Sequence, residues 1–151
     1  MKYYKSLERR LESLKDEFPS FMKKNNDFTH GKPVNICEAN PNQSLVRGFC
    51  AGRETDRKDE MAMGIMFHGT HQDSVQSIIR DGIREYSHFT NSFHYAVRRS
   101  QYKQNYVGDA QVLAFAVLVE EADRLTSKDA KTRSPCRYHA LPLFIITVRN
   151  R

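Results

Sequence analysis

The sequence predicts an α+β domain with mostly antiparallel strands, and three observations carry this. Residues 62–67 and 111–119 are strand-length apolar runs. Tyr4, Leu7, Leu11, Leu14 and Phe18 recur at three- and four-residue steps, the spacing of one helix face. The chain has 151 residues, enough for a single domain that buries about two-thirds of its unfolded surface without disulfide or metal staples.

The first element expected is an amphipathic helix over residues 3–18, ended by Pro19. It spans too few heptads for a coiled coil, so it packs on its own domain. From Ser20 to Met61 the periodicity fades into Asn, Lys, Gly and Pro, followed by a run of alternating charge over residues 53–60. An irregular connection is expected here, with one short strand about Val34 to Cys37. Its length marks either a functional loop or structure that the pattern does not reveal. The organisation expected is thus a helix and irregular segment over 1–61 packed on a core of residues 62–151, in one compact domain.

The strand over 62–67 stops at His68-Gly69-Thr70. Thr70 reads as an N-cap with Asp73 three residues on, Val75, Ile78 and Ile79 form a buried helical stripe, and Gly82 closes the helix. A short strand from Tyr86 to Thr90 precedes Asn91-Ser92, which caps a second helix burying Phe93, Ala96 and Val97. Gln111 to Val119 is apolar on both faces and is therefore a central strand. Leu141 to Val148 is the last strand, with Pro142 near its start, where a missing amide is tolerated.

The net charge of +6 and a pI near 9.3 favour anionic partners. The excess is dispersed, with no block of five or six like charges, so a solvated basic surface is expected rather than a dedicated groove. The longest apolar run, Val112 to Val119, is far short of the roughly 20 residues of a membrane helix, and Met1-Lys2-Tyr3-Tyr4 begins neither a signal nor a transit peptide. The expectation is an intracellular protein, cytoplasmic or nuclear, without a membrane partner. Cys37, Cys50 and Cys136 are an odd, scattered set that reads as reduced thiols. Cys136 and His139 have a metal-like spacing, but no second tight pair completes a tetrahedral site, so no metal is expected.

The tripeptide His68-Gly69-Thr70 carries the chemistry. An imidazole at a strand end can donate to a ribose hydroxyl, a glycine beside it lets a ligand amide approach the backbone, and the helix that follows offers free N–H groups to an anion.

The order strand, His68-Gly69-Thr70, helix ending in Gly82, short strand His88-Phe89-Thr90, polar cap and helix, then the apolar strand 111–119, resembles the catalytic domain of the poly(ADP-ribose) polymerase-like ADP-ribosyltransferases. The similarity spans residues 62–148. It implies a split β-sandwich of two small, mostly antiparallel sheets around a cleft that takes NAD as substrate. It also implies that His68 holds a ribose 2′-hydroxyl, that the Gly69 backbone pairs with the nicotinamide amide, and that Thr70 lies at the same cofactor turn. The nicotinamide contacts fall on Phe89 and Thr90 of the short strand and on Ser92, Tyr95 or Tyr102. His88 stands where the family has a tyrosine and could stack or hydrogen-bond there.

Counting back from Leu141-Pro142 to the family's catalytic glutamate lands near Lys131, where there is no acid. A carboxylate that orients the ribose or polarises the attacking group lowers the barrier to an oxocarbenium-like state by ~100- to 10,000-fold. Asp129 is the nearest replacement, and Glu120 and Glu121 end the preceding strand. Family members lacking this glutamate include mono-transferases and inactive forms. The resemblance thus implies transfer of single ADP-ribose units to a protein or nucleic-acid acceptor, or a nucleotide- or RNA-binding module without turnover. Asn40-Pro41-Asn42-Gln43-Ser44 and His88 are also similar to parts of the NAD-dependent RNA 2′-phosphotransferases, whose pattern is closer to Arg-Ala-Asn-Gln-Gly-His. Read on its own, residues 40–44 are an Asn/Pro turn.

Overall fold

A strand apolar on both faces must be covered on both, and this dictates the architecture. The computed structural model describes residues 2–25, 28, 31–51, 60–126, 130–133 and 137–149. At its centre β4 (Ala110–Val119) is flanked by β6 (Ala140–Val148) on one side and β2 (Ala62–Thr70) on the other. Outside these lie β1 (Pro33–Glu38), next to β6, and β3 (His88–Thr90) then β5 (Lys131–Arg133), beyond β2. Every pairing is antiparallel.

Alternation along β4 divides the core into two layers. Val112, Ala114 and Ala116 face a layer built with α1 (Lys2–Lys24), α2 (Gln43–Cys50) and α4 (Phe93–Lys103), through Leu7, Leu11, Phe18, Phe49, Phe93 and Val97. Leu113, Phe115 and Val117 face the opposite layer, where α3 (Val75–Asp81) buries Val75, Ile78 and Ile79. The short α5 (Asp123–Thr126) adds Leu125 to the rim of that second layer. The α+β class and the antiparallel strands agree with the sequence reading. The two separate sheets do not, because β3 joins β2 through the single register pair Phe67↔Thr90 and makes one continuous six-stranded sheet.

Three local expectations change. Pro19 does not end α1, which runs to Lys24. The Phe18 ring stacks on Phe144 with centroids 4.0 Å apart, and Phe21 packs on Phe67 at 5.5 Å. Apolar anchors on both sides of the proline, about 1.5–3 kcal/mol from the buried Phe18 and less from the half-buried Phe21, offset an interior proline's cost of about 3 kcal/mol.

The connection over 20–61 contains α2 as well as the expected strand, and β1 completes the sheet edge beside β6. Asn42 is the cap of α2, accepting from the Ser44 amide at 3.0 Å, so the turn-like residues 40–44 are a helix start. Residues 53–59 lie outside the described residues.

Thr70 is not an N-cap. It is the last residue of β2, and His71 caps the following turn by accepting from the Asp73 amide at 3.1 Å. The expected helix end at Gly82 is present, with φ 90° and its amide on the Ile78 carbonyl at 2.8 Å. Among the described residues, no helix is long and apolar enough to cross a membrane.

Candidate functional site

The single pairing between β2 and β3 opens the site. Beyond Phe67 no β3 residue pairs with β2, and a cleft of about 240 Å³ fills the angle between them. β2 contributes His68 and Gly69 to its wall, and β3 with its approach contributes Ser87, His88, Phe89 and Thr90. One stripe of α4 at four-residue steps adds Tyr95, Arg99 and Lys103, and Lys131 enters from β5.

His68 is fixed by its own backbone surroundings. A carbonyl can only accept, so the His68 Nδ1–H donates to the His88 carbonyl at 2.7 Å. The ring lies 5.8 Å from Phe89 and 6.3 Å from Phe115, centroid to centroid. Burial, helped by the nearby charges of Lys103 and Arg99 and opposed by the bond to His88, brings its pKa down to about 4. The imidazole is therefore neutral at physiological pH, and with Nδ1 protonated its Nε2 is an acceptor. This corrects the sequence expectation of a donating imidazole. A hydroxyl held by His68 donates its own proton to Nε2.

A pH dependence follows. The folded pKa of about 4 lies below the ordinary 6.5, so the unfolded chain takes up this proton first as pH falls. The stabilisation is complete above about pH 6.5 and is lost on descending towards pH 4. The expected loss is about 2–3 kcal/mol, read from urea midpoints at about pH 7 and about pH 4.5. A His68→Asn variant should show a flatter profile, and identical profiles would contradict the buried neutral ring.

Gly69 is required by packing as well as by position. A Cβ there would lie 1.9 Å from the Ala96 carbonyl oxygen, so the backbone of α4 occupies the space that the sequence reading gave to a ligand amide. The ligand-accessible part of Gly69 is its strand edge, where its carbonyl accepts from Lys103 Nζ at 2.9 Å. Ser100 locks α4 against the sheet, donating to the Thr70 carbonyl at 2.7 Å and accepting from the Gln111 amide at 3.0 Å.

The structure brings together His68, Gly69, His88, Phe89, Thr90 and Tyr95 of the expected residues. His88 acts through its carbonyl on His68, and its side chain is exposed. The Thr90 hydroxyl accepts from the Ser92 amide at 3.1 Å.

Three expected residues are elsewhere. Thr70 is buried beneath α4 and does not line the cleft. Ser92 is the N-cap of α4, its hydroxyl accepting from the Tyr95 amide at 3.4 Å. Tyr102 is 67% exposed, because it falls off the stripe of Tyr95, Arg99 and Lys103.

Asp129 and Cys136 lie outside the described residues. Glu120 and Glu121 follow Val119, which pairs with Ala62, whereas His68 pairs with Leu113, so six strand residues, about 20 Å, separate them from His68.

No carboxylate lines the cleft among the described residues. Lys131, near the position that the resemblance gives to a glutamate, places its ammonium 4.1 Å from the centre of the Tyr95 ring. Arg99 and Lys103 were not foreseen. Their signal was the four-residue spacing from Tyr95 along a helix already expected. The dispersed charge of the sequence thus gathers three cations at one cleft, two from α4 and one from β5. The chain matches no protein-family model and no curated protein sequence.

Proposed function

We propose that this cleft binds NAD and that the protein transfers single ADP-ribose units from it to a protein or nucleic-acid acceptor, as an ADP-ribosyltransferase. The observation that carries the reading is a neutral, hydrogen-bonded His68 beside the strand edge of Gly69, in a cleft also lined by Arg99, Lys103 and Lys131.

Each group has work that suits a dinucleotide. His68 Nε2 accepts from a ribose hydroxyl. The Gly69 edge offers backbone polar groups to a carboxamide, and Tyr95 supplies aromatic surface, while the Phe89 ring is buried in the core beneath. The cations offset the two negative charges of a pyrophosphate. In the transfer the ribose–nicotinamide bond breaks, nicotinamide leaves with the bonding electrons, and the acceptor's nucleophile bonds to the anomeric carbon and releases its proton to solvent.

Lys131, standing in the sequence where the resemblance calls for a glutamate, favours a second reading, recognition of the nucleotide without turnover. The cations equally suit an acceptor that is already anionic, such as the 2′-phosphorylated RNA of the phosphotransferases.

Nicotinamide release from NAD separates these readings when measured with a protein acceptor, with RNA and with 2′-phosphorylated RNA. Release above the uncatalysed rate with one of them is expected for the transferase. NAD binding with no release from any acceptor leaves the binding module.

A further inference from the structure

We propose that Lys103 is the selectivity residue of the cleft, occupying the Gly69 carbonyl so that the site favours phosphate-bearing nucleotides over free nicotinamide. The inference rests on the nucleotide reading of the cleft and goes beyond it by assigning a preference to one side chain.

The argument starts from the strand. In an antiparallel ladder the N–H and C=O of one residue point to the same side. The Gly69 carbonyl meets Lys103 from α4, so the Gly69 amide faces the same edge. A primary carboxamide is complementary to such an edge, donating to the carbonyl and accepting from the amide. Half of that complement is already taken, at 2.9 Å, by the Lys103 ammonium. A neutral carboxamide must compete with a charged donor for this oxygen, and charged donors make the stronger hydrogen bonds.

An anionic ligand reverses the balance. Lys103 and Arg99 stand one helical turn apart on the same wall, and both line the cleft with Lys131. Burial, with Arg99 beside it, holds the Lys103 ammonium below the usual lysine range, and among the described residues no carboxylate lines the cleft to supply negative charge. A pyrophosphate supplies that charge. Lys103 turns from the Gly69 carbonyl to the phosphates, and the carbonyl becomes available to the carboxamide at the other end of the same molecule. Free nicotinamide carries no phosphate to draw Lys103 away, which makes it a weak competitor.

The test is calorimetric titration of nicotinamide, and separately of ADP-ribose, into the full wild-type chain, Lys103→Met and Lys103→Arg. Methionine keeps an unbranched stem and removes both the charge and the donor. Lys103→Met should bind nicotinamide about three- to tenfold more tightly and ADP-ribose about tenfold more weakly. Lys103→Arg should hold ADP-ribose within about threefold of wild type, because it keeps the charge.

Nicotinamide affinity that is equal in wild type and Lys103→Met overturns the proposal while leaving the nucleotide reading intact. So does a loss of affinity for both ligands together, which marks a structural role. If all three proteins melt at the same temperature and none binds either ligand, the nucleotide reading itself fails and the selectivity proposal with it.

Discussion

Gly69→Ala should destabilise the protein by about 3–4 kcal/mol and lower its melting temperature by roughly 10 °C. The added Cβ would meet the Ala96 carbonyl oxygen at 1.9 Å, the Ala96 carbonyl carbon at 2.9 Å and the Ser100 amide nitrogen at 3.0 Å. All three are backbone atoms of α4, so no rotamer change relieves the overlap and the helix itself must move. Moving it stretches the Ser100 bonds to Thr70 and Gln111, and it loosens the layer in which Phe93, Ala96 and Val97 are buried. Thermal melting of the purified variant checks this. A melting temperature within about 2 °C of wild type would show that α4 does not approach β2 as closely as described.

His68→Ala should reduce nicotinamide release by about 100-fold or more while leaving the far-UV circular dichroism unchanged. The ring sits at the end of β2 on the cleft wall, and its bond to the His88 carbonyl sets both its tautomer and its orientation. Truncation removes the acceptor for the ribose hydroxyl and leaves the two strands to their own pairing. His68→Asn, which keeps a polar head without the imidazole, should recover little of the rate. Turnover within about threefold of wild type in His68→Ala would remove the residue from the site.

Much of this fold was legible because strong periodicities are local facts. The all-apolar run 112–119 reads as a covered central strand, and the stripe of Val75, Ile78 and Ile79 closed by Gly82 reads as a short helix with one buried face. The reading failed where tertiary contacts outweigh local preference. Pro19 ends a helix in isolation, yet Phe18 and Phe21 hold α1 in register on either side of it. The eight residues of α2 are too few for periodicity to rise above a turn signal, and β1 exists as a strand by virtue of β6.

The site divides in the same way. His68 and Gly69 stood out because a strand ended on them, and Tyr95 because a cap preceded it. Tyr102 was misplaced because membership of a helix does not give its rotational setting. The helix face that meets the cleft passes through Tyr95, Arg99 and Lys103, and it is fixed by Ser100 on the Thr70 carbonyl. The role of Gly69 in packing was invisible for a related reason. Its neighbour Ala96 is 27 residues away in sequence, and only the fold brings the two backbones together.

The central claim is that the cleft beside His68 takes an anionic nucleotide, and titration of NAD into wild type and His68→Ala, followed by calorimetry, tests it most directly. Saturable one-to-one binding by wild type is expected, weakening as salt is raised because three cations line the cleft, and lost in the variant. No heat of binding from wild type at millimolar NAD, or equal binding by the two proteins, would contradict it.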